Sequence, residues 1–221
     1  NAFAQTDREA NGKVWDMYSD VPGGTPTYEY TFGSDQCGTY DSEGDCFNRE
    51  HTFPQSWFGG IPGPDTDVFH LYPTDAWVNQ KRANWPYGTV GSNTTYIADN
   101  GGKLGQCTYP GCSGLVFEPI DAYKGDLARG YFYMLTRYMN EAQNWGTAPV
   151  LQQGVFLPWV ENLLLAWHQA DPVSQKEIDR NNTVYTMLQH NRNPYIDHPE
   201  WVYRIWGPTA SVYERANLTS T

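Results

Sequence analysis

The apolar positions predict more helix than strand. Over residues 126–141, Leu127, Tyr131, Met134, Leu135 and Tyr138 recur at three- and four-residue steps, the period of one helix face. Further helices are predicted over 159–169 and 174–190, over 198–206 with Asp197 as cap, and over 2–18, where Phe3, Val14, Trp15 and Tyr18 would meet the core. Shorter runs read as strands: 45–53, ending at Pro54; 68–72, stopped by Pro73; and 115–120. Thr74 can cap a helix running to about Ala83, with Asp75 in its first turn and Pro86 beyond it. Residues 54–66 and 87–114 are punctuated by Gly and Pro and read as loops with irregular strands. The sum is an α+β protein, mostly helical with one small sheet, without internal repeats, and a single domain over 1–221.

Composition narrows this. Of 221 residues, 39% are hydrophobic and 15% aromatic, which argues against a disordered chain. The longest apolar runs, such as Leu163–Trp167, fall far short of the roughly 20 residues that cross a bilayer, so no membrane partner is expected. The chain starts at Asn1 without Met or an apolar leader, as a processed or trimmed form would. Cys37, Cys46, Cys107 and Cys112 form two local pairs and lack the Cys-x2-Cys spacing of zinc ribbons. Disulfides Cys37–Cys46 and Cys107–Cys112 are the simplest of three connectivities; reduced, buried thiols are the alternative. Disulfides would place the chain outside the cytosol, where the Asn-x-Ser/Thr sites at Asn93, Asn181 and Asn217 matter only in a eukaryotic host. The net charge of −11 speaks against a generic nucleic-acid binder, which carries a basic footprint.

One constellation carries candidate chemistry. Glu50 and His51 end the predicted strand at 45–53 and can flank one site, although strand neighbours normally face opposite ways. On the following helix Asp75, Asn79 and Arg82 share a face. A carboxylate and an amide oxygen are hard donors suited to Mg²⁺ or Ca²⁺. An adjacent imidazole can take a proton from water, and an arginine can clamp phosphate, so the set suits phosphodiester hydrolysis. The bland reading of the same residues is a surface Glu beside a hydrogen-bonded structural His.

Four collinear blocks tilt the balance: CFNREHTFPQSWFG (46–59), DVFHLYPTDAWVNQKRANWPYG (67–88), YKGDLARGYFYM (123–134) and QHNRNPYIDHPEW (189–201). They resemble the bacterial endonuclease I family. The resemblance implies a ββα-metal (His-Me) finger over about 45–84, within one secreted or periplasmic nuclease domain with disulfides. It implies His51 as general base, and Glu50 and Asn79 as ligands of one Mg²⁺, with Ca²⁺ or Mn²⁺ as the other candidate ions. It implies hydrolysis of DNA, with RNA as a second candidate substrate, leaving 5′-phosphates. Arg49, Arg82, Arg129 and Arg192 are the candidate phosphate contacts, with ion pairs or turn contacts as the alternatives for the last three. Trp57, Trp85 and Tyr87 are candidates for base stacking or for core. His168, His190 and His198 read as structural. The chain departs from the family pattern at Phe69 and His70, where many members carry His and Asn.

With Lys81 and Lys124, these arginines would form a basic cleft in an acidic body, the acids lying at Asp41, Glu43, Asp45, Asp171, Glu177 and Asp179. A monomer is expected. The rival functions are a secreted glycoside hydrolase, which acidic pI and many Trp also suit, and a carbohydrate-binding module.

Overall fold

The computed structural model describes residues 2–208. The sequon at Asn217 lies outside them. The fold is α+β. Within the described residues the chain forms two compact units, 2–52 with 71–123, and 53–70 with 124–208. Three small antiparallel sheets, of two, three and two strands, stand where one was expected among the described residues.

The first unit is organised around a strand–strand–helix motif. Strand β1 (Phe47–His51) pairs antiparallel with β2 (Leu71–Asp75), Phe47 opposite Asp75 and His51 opposite Leu71. Helix α1 (Ala76–Arg82) follows at once. Pro73 does not stop the strand. It lies inside β2 opposite Arg49, in a sheet of two strands whose outer edges need no backbone donor. Residues 68–70, expected as strand, form a turn of 3-10 helix instead, begun by the Asp67 carboxylate accepting from Phe69 N at 3.0 Å. Asp75, not Thr74, caps α1: its carboxylate accepts from Val78 N at 2.7 Å.

Strands β3 (Val90–Ile97), β4 (Lys103–Cys107) and β5 (Leu115–Glu118) give the second sheet, in that spatial order. Both local disulfides are formed: Cys37–Cys46 leads into β1, and Cys107–Cys112 closes the loop after β4. Val14, Tyr30 and Phe47 make a core cluster, with Tyr28 and Phe32 packed against it. The helix expected over 2–18 is one turn, Phe3–Thr6. The chain then reverses through Asn11 and Gly12, the latter at φ +86°, so that Trp15 N donates to Asp7 O and Val14 pairs with Arg8.

The second unit is built on helix α2 (Lys124–Arg137), buried at every position from Gly125 to Leu135. Helix α3 (Pro158–Ala170) packs on it, and around them lie a two-stranded ribbon of β6 (Leu151–Gln152) and β7 (Val155–Phe156), α4 (Gln175–Thr183) and α5 (Glu200–Trp206). The helix expected over 126–141 breaks at Tyr138 and resumes for one turn, Met139–Ala142. Ser174 and Glu177 form a capping box that starts α4. The pattern expected to stay helical to residue 190 loosens into a π-turn over Val184–Leu188. Asp197 is not the cap of the last helix; it sits in a single turn, Pro194–Asp197, capped by Asn193. Asn181, one of the three sequons, is buried and donates to Asn193 O and Asp197 Oδ1, which removes it as a glycan acceptor in the folded chain.

Candidate active site

The site is assembled on the strand–strand–helix motif. Along β1 the residues alternate: Arg49 is exposed, Glu50 is buried and His51 is half-buried. Glu50 is 2% exposed, a costly position for a carboxylate. Its Oε1 accepts from Arg82 Nη1 at 2.9 Å and from Tyr18 Oη at 2.9 Å. No described hydrogen bond involves Oε2. Burial pushes the carboxyl above the usual carboxylate range, and Arg82 and the Tyr18 hydroxyl pull it back.

Arg82, at the end of α1, is itself fully buried. Besides Glu50 it donates to the carbonyls of His51, at 2.9 Å, and of Thr52, and its guanidinium lies 4.6 Å from the Tyr87 ring centre. The arginine therefore pins the end of β1 as well as the carboxylate. The direct phosphate contact expected of Arg82 is not open to it in this structure.

One turn earlier on α1, Asn79 donates from Nδ2 to Asn48 Oδ1 at 2.8 Å and to Arg49 O at 3.3 Å. These bonds hold the amide against β1 and leave its Oδ1 outside the described hydrogen bonds. The strand that carries Glu50 and His51 and the helix that carries Asn79 are thus brought side by side. The donor set fits a hard divalent ion: one carboxylate oxygen and one amide oxygen, both uncommitted. A cluster of three or more His, Cys, Asp or Glu ligands is absent among the described residues.

A second layer fixes these supports. Asp16 is buried and accepts from Tyr18 N and from Asp75 N, each at 2.8 Å. One carboxylate thereby links the residue that holds Glu50 to the residue that caps α1. Burial pushes Asp16 up to about 7, against the backbone bond from Tyr18, with nearby Asp75 adding to the rise. Asp75, expected in the first turn, also accepts from Tyr30 Oη at 2.6 Å and Gly44 N at 2.9 Å. Sequence reasoning misses the supporting role of Tyr18, Tyr87, Asn48 and Asp16; Tyr18 reads only as core, and Tyr87 as core or a base-stacking ring. Asn48 and Tyr87 lie within motif blocks, but no local signal marks a partner 32 residues away such as Tyr18.

The other candidates separate. Arg49 is exposed and belongs to the strand of the site. Arg129 is fully buried in the second unit, donating to Glu177 Oε1 and Oε2 at 2.5 and 2.8 Å, and to Asp171 O. It makes the structural ion pair that was the alternative to phosphate contact. Arg192 makes a two-pronged bond to Asp197, both arms at 2.6 Å. Lys81 lies over the Trp77 ring at 4.0 Å, and Lys124 over that of Trp167 at 5.5 Å. The basic cleft drawn from sequence is thereby depleted, with two of its arginines inside the protein and a third paired. Trp57 and Tyr87 are core residues, whereas Trp85 is 41% exposed. His168 is buried between Arg129 and the Pro199 carbonyl, and His198 stacks on Trp201, both structural as read. His70 is buried with Nε2 at 2.6 Å from Pro64 O.

An antiparallel strand pair and the helix after it, carrying an acid, a histidine and an amide, define the chain as a small α+β protein with this candidate site. The chain belongs to the Endonuclease I family, which matches residues 1–200. It is similar to the extracellular ribonuclease of Bacillus amyloliquefaciens, with 39% identity over 172 residues, 72% of this chain and 54% of that protein. The extracellular ribonuclease of Bacillus subtilis (strain 168) matches to the same extent, 39% over 172 residues. The Endonuclease-1 of Buchnera aphidicola subsp. Baizongia pistaciae (strain Bp) is 27% identical over 136 residues, 60% of this chain and 46% of that protein. The chain spans about half the length of these curated relatives.

Proposed function

We propose that the chain is a secreted, metal-dependent endonuclease that hydrolyses phosphodiester bonds of DNA and RNA. The observation that carries this reading is the bond from Asn79 to β1, which brings an uncommitted amide oxygen beside the strand of Glu50 and His51. Glu50 Oε2 and Asn79 Oδ1 would hold one Mg²⁺, or Ca²⁺ or Mn²⁺ in its place. Such an ion, when bound, offsets negative charge on the phosphate and the departing oxygen. His51 accepts the proton of the water that attacks phosphorus, the P–O3′ bond breaks, and the 3′ oxygen takes a proton from solvent, so the new ends carry a 5′-phosphate and a 3′-hydroxyl. Arg82 and Tyr18 act at one remove by fixing the Glu50 carboxylate, and Asn48 does the same for Asn79. Arg49 is the exposed cation on the strand, suited to a backbone phosphate. Recognition through phosphates gives little sequence preference. Family membership supports the nuclease class. The names of the two Bacillus relatives support RNA as a substrate and an extracellular location, and the two disulfides agree with the latter. The enzyme acts as a monomer in this reading, which light scattering checks.

A plasmid-nicking and RNA-degradation assay tests it. Cleavage with Mg²⁺ should vanish in EDTA. His51→Ala should lower turnover by orders of magnitude while metal binding survives, and Glu50→Ala should lose both. Near wild-type cleavage by His51→Ala sinks the mechanism. Activity on glycans that persists in EDTA would favour the glycoside hydrolase instead.

A further inference from the structure

The chain has nine Trp, and Trp85 alone among them is exposed, at 41%. Its Nε1 makes no hydrogen bond among the described residues, and none of their rings or cations packs on its own ring. The other exposed aromatic rings have such neighbours: the Arg192 guanidinium lies 5.7 Å from the Tyr185 ring centre, and the His168 ring 5.4 Å from that of Tyr203. A single exposed apolar side chain is ordinary and carries no meaning alone. Two further observations set Trp85 apart, how its backbone is held and where it lies.

The backbone is held on both sides. Trp85 N donates to Arg82 O at 3.1 Å. Pro86 follows, restricts the backbone of Trp85 and accepts on its carbonyl from Phe117 N at 2.9 Å, which ties the segment to β5. The turn that presents the ring is strained. Ala83, the residue after α1, sits at φ +49° and ψ −125°, where residues other than glycine are rare. A ring fixed in this way gives up little freedom when a ligand lands on it.

The place is the edge of the candidate active site. Helix α1 returns along β1: Asn79 bonds to Asn48 and Arg49, and Arg82, near the helix end, bonds to the carbonyls of His51 and Thr52. The last turn of α1 therefore lies beside the end of β1 that carries His51. Arg82 accepts the Trp85 N–H on its carbonyl and donates from Nη1 to His51 O at 2.9 Å, so one residue spans the two backbones.

We propose that Trp85 is the platform on which one unpaired base of the substrate stacks beside the bond that is cut, so that the site holds single-stranded nucleic acid more tightly than duplex. The choice of a base as occupant rests on the nuclease reading. An indole face accepts every base, so stacking adds affinity without sequence preference. A base within a duplex is stacked on its neighbours and must leave the helix to reach the ring. Charge points the same way. The net charge is −11 and Arg82 and Arg129 are buried, so a contact that needs no cation suits this chain. Losing one stacked base weakens binding roughly five- to 150-fold.

The test is a ¹⁹F NMR titration of the chain labelled with 5-fluorotryptophan, in EDTA, with a short mixed-sequence DNA strand and with the same strand annealed to its complement. The Trp85 resonance, identified by its absence from Trp85→Phe, should shift saturably with the single strand, at an affinity at least about fivefold above that for the duplex. In fluorescence anisotropy with a labelled strand, Trp85→Ala should weaken single-strand binding at least about fivefold, Trp85→Phe less, and duplex binding should change by less than about twofold. An unmoved Trp85 resonance at saturation, undiminished single-strand binding by Trp85→Ala, or an equal loss on the duplex overturns the platform. A resonance that shifts with protein concentration alone assigns the ring to a second copy of the chain and overturns it as well. The titration keeps Trp85 in place, so it decides the matter whatever Trp85→Ala does to folding. Plasmid nicking by His51→Ala reads the nuclease proposal alone, so failure of one is distinguishable from failure of the other.

Discussion

At the scale of the residue, the site turns on how a buried acid is kept usable. Glu50 carries one pinned oxygen and one uncommitted oxygen, and Arg82 does most of the pinning. Removing one member of a buried ion pair strands the other, at a cost of about 3–5 kcal/mol. Losing a single neutral hydrogen bond typically costs ~1 kcal/mol. Arg82→Gln should therefore destabilise the chain at least twice as much as Tyr18→Phe in urea unfolding. It should also weaken Mg²⁺ binding, measured by calorimetry. Equal losses would mean that Arg82 is not the main support of Glu50. The contrast marks what the sequence could carry. Glu50, His51 and Asn79 were legible because chemistry and spacing fall within two short blocks. The role of Arg82 was half legible: its place in the motif was plain, but its direction, inward to a carboxylate, depends on burial that no local pattern encodes.

At the scale of the element, the position of Asn79 and Arg82 depends on where α1 begins. Asp75 sets that point by capping Val78 N, and it also accepts from Tyr30 and Gly44. A cap alone is typically worth ~1 kcal/mol, and buried donors left unpaired add ~1–3 kcal/mol. Asp75→Ala should thus cost about 2–4 kcal/mol of unfolding free energy, with Asp75→Asn in between because it keeps one acceptor oxygen. A loss of ~1 kcal/mol or less for Asp75→Ala would reduce Asp75 to an ordinary cap. The existence of the long buried helix α2 was legible from its period, but its limits were not: it was expected over 126–141 and runs Lys124–Arg137. Elements whose limits are tertiary were not. Pro73 reads as a stop unless the strand is known to have a free edge. Residues 2–18 read as helix until the return of Trp15 onto Asp7 is seen. Thr74 and Asp75 are both acceptable caps by type, and the bond from Asp75 N to Asp16 settles which one takes that place.

At the scale of the whole molecule, charge governs both stability and substrate affinity. Burial raises Asp16 to about 7 and also raises Asp126, so at these two groups the folded chain keeps protons that the unfolded chain has released by pH 5. That stabilisation is complete below about pH 4 and is lost as pH rises through the folded values. His168, lowered by burial and by Arg129 to about 4, acts with the opposite sign, but only between about 4 and 6.5. Above that window the acids act unopposed, so the Tm in EDTA should fall by roughly 2–4 °C from pH 6 to pH 8. A flat or rising Tm would contradict the burial of these carboxyls. The same burial limits contact with nucleic acid. Of the arginines in the motif blocks, Arg82 and Arg129 are inside the protein and Arg192 is paired, which leaves Arg49, with Lys81 half-buried over Trp77. A net charge of −11 adds long-range repulsion. Each neutralised phosphate contributes about −0.9 to the slope of log K against log salt. With about two such contacts at most, duplex DNA binding by His51→Ala in constant Ca²⁺ should show a slope no steeper than about −2. Arg49→Gln should flatten it by about one. A slope near −6 would mean that a basic surface exists which these side chains do not provide.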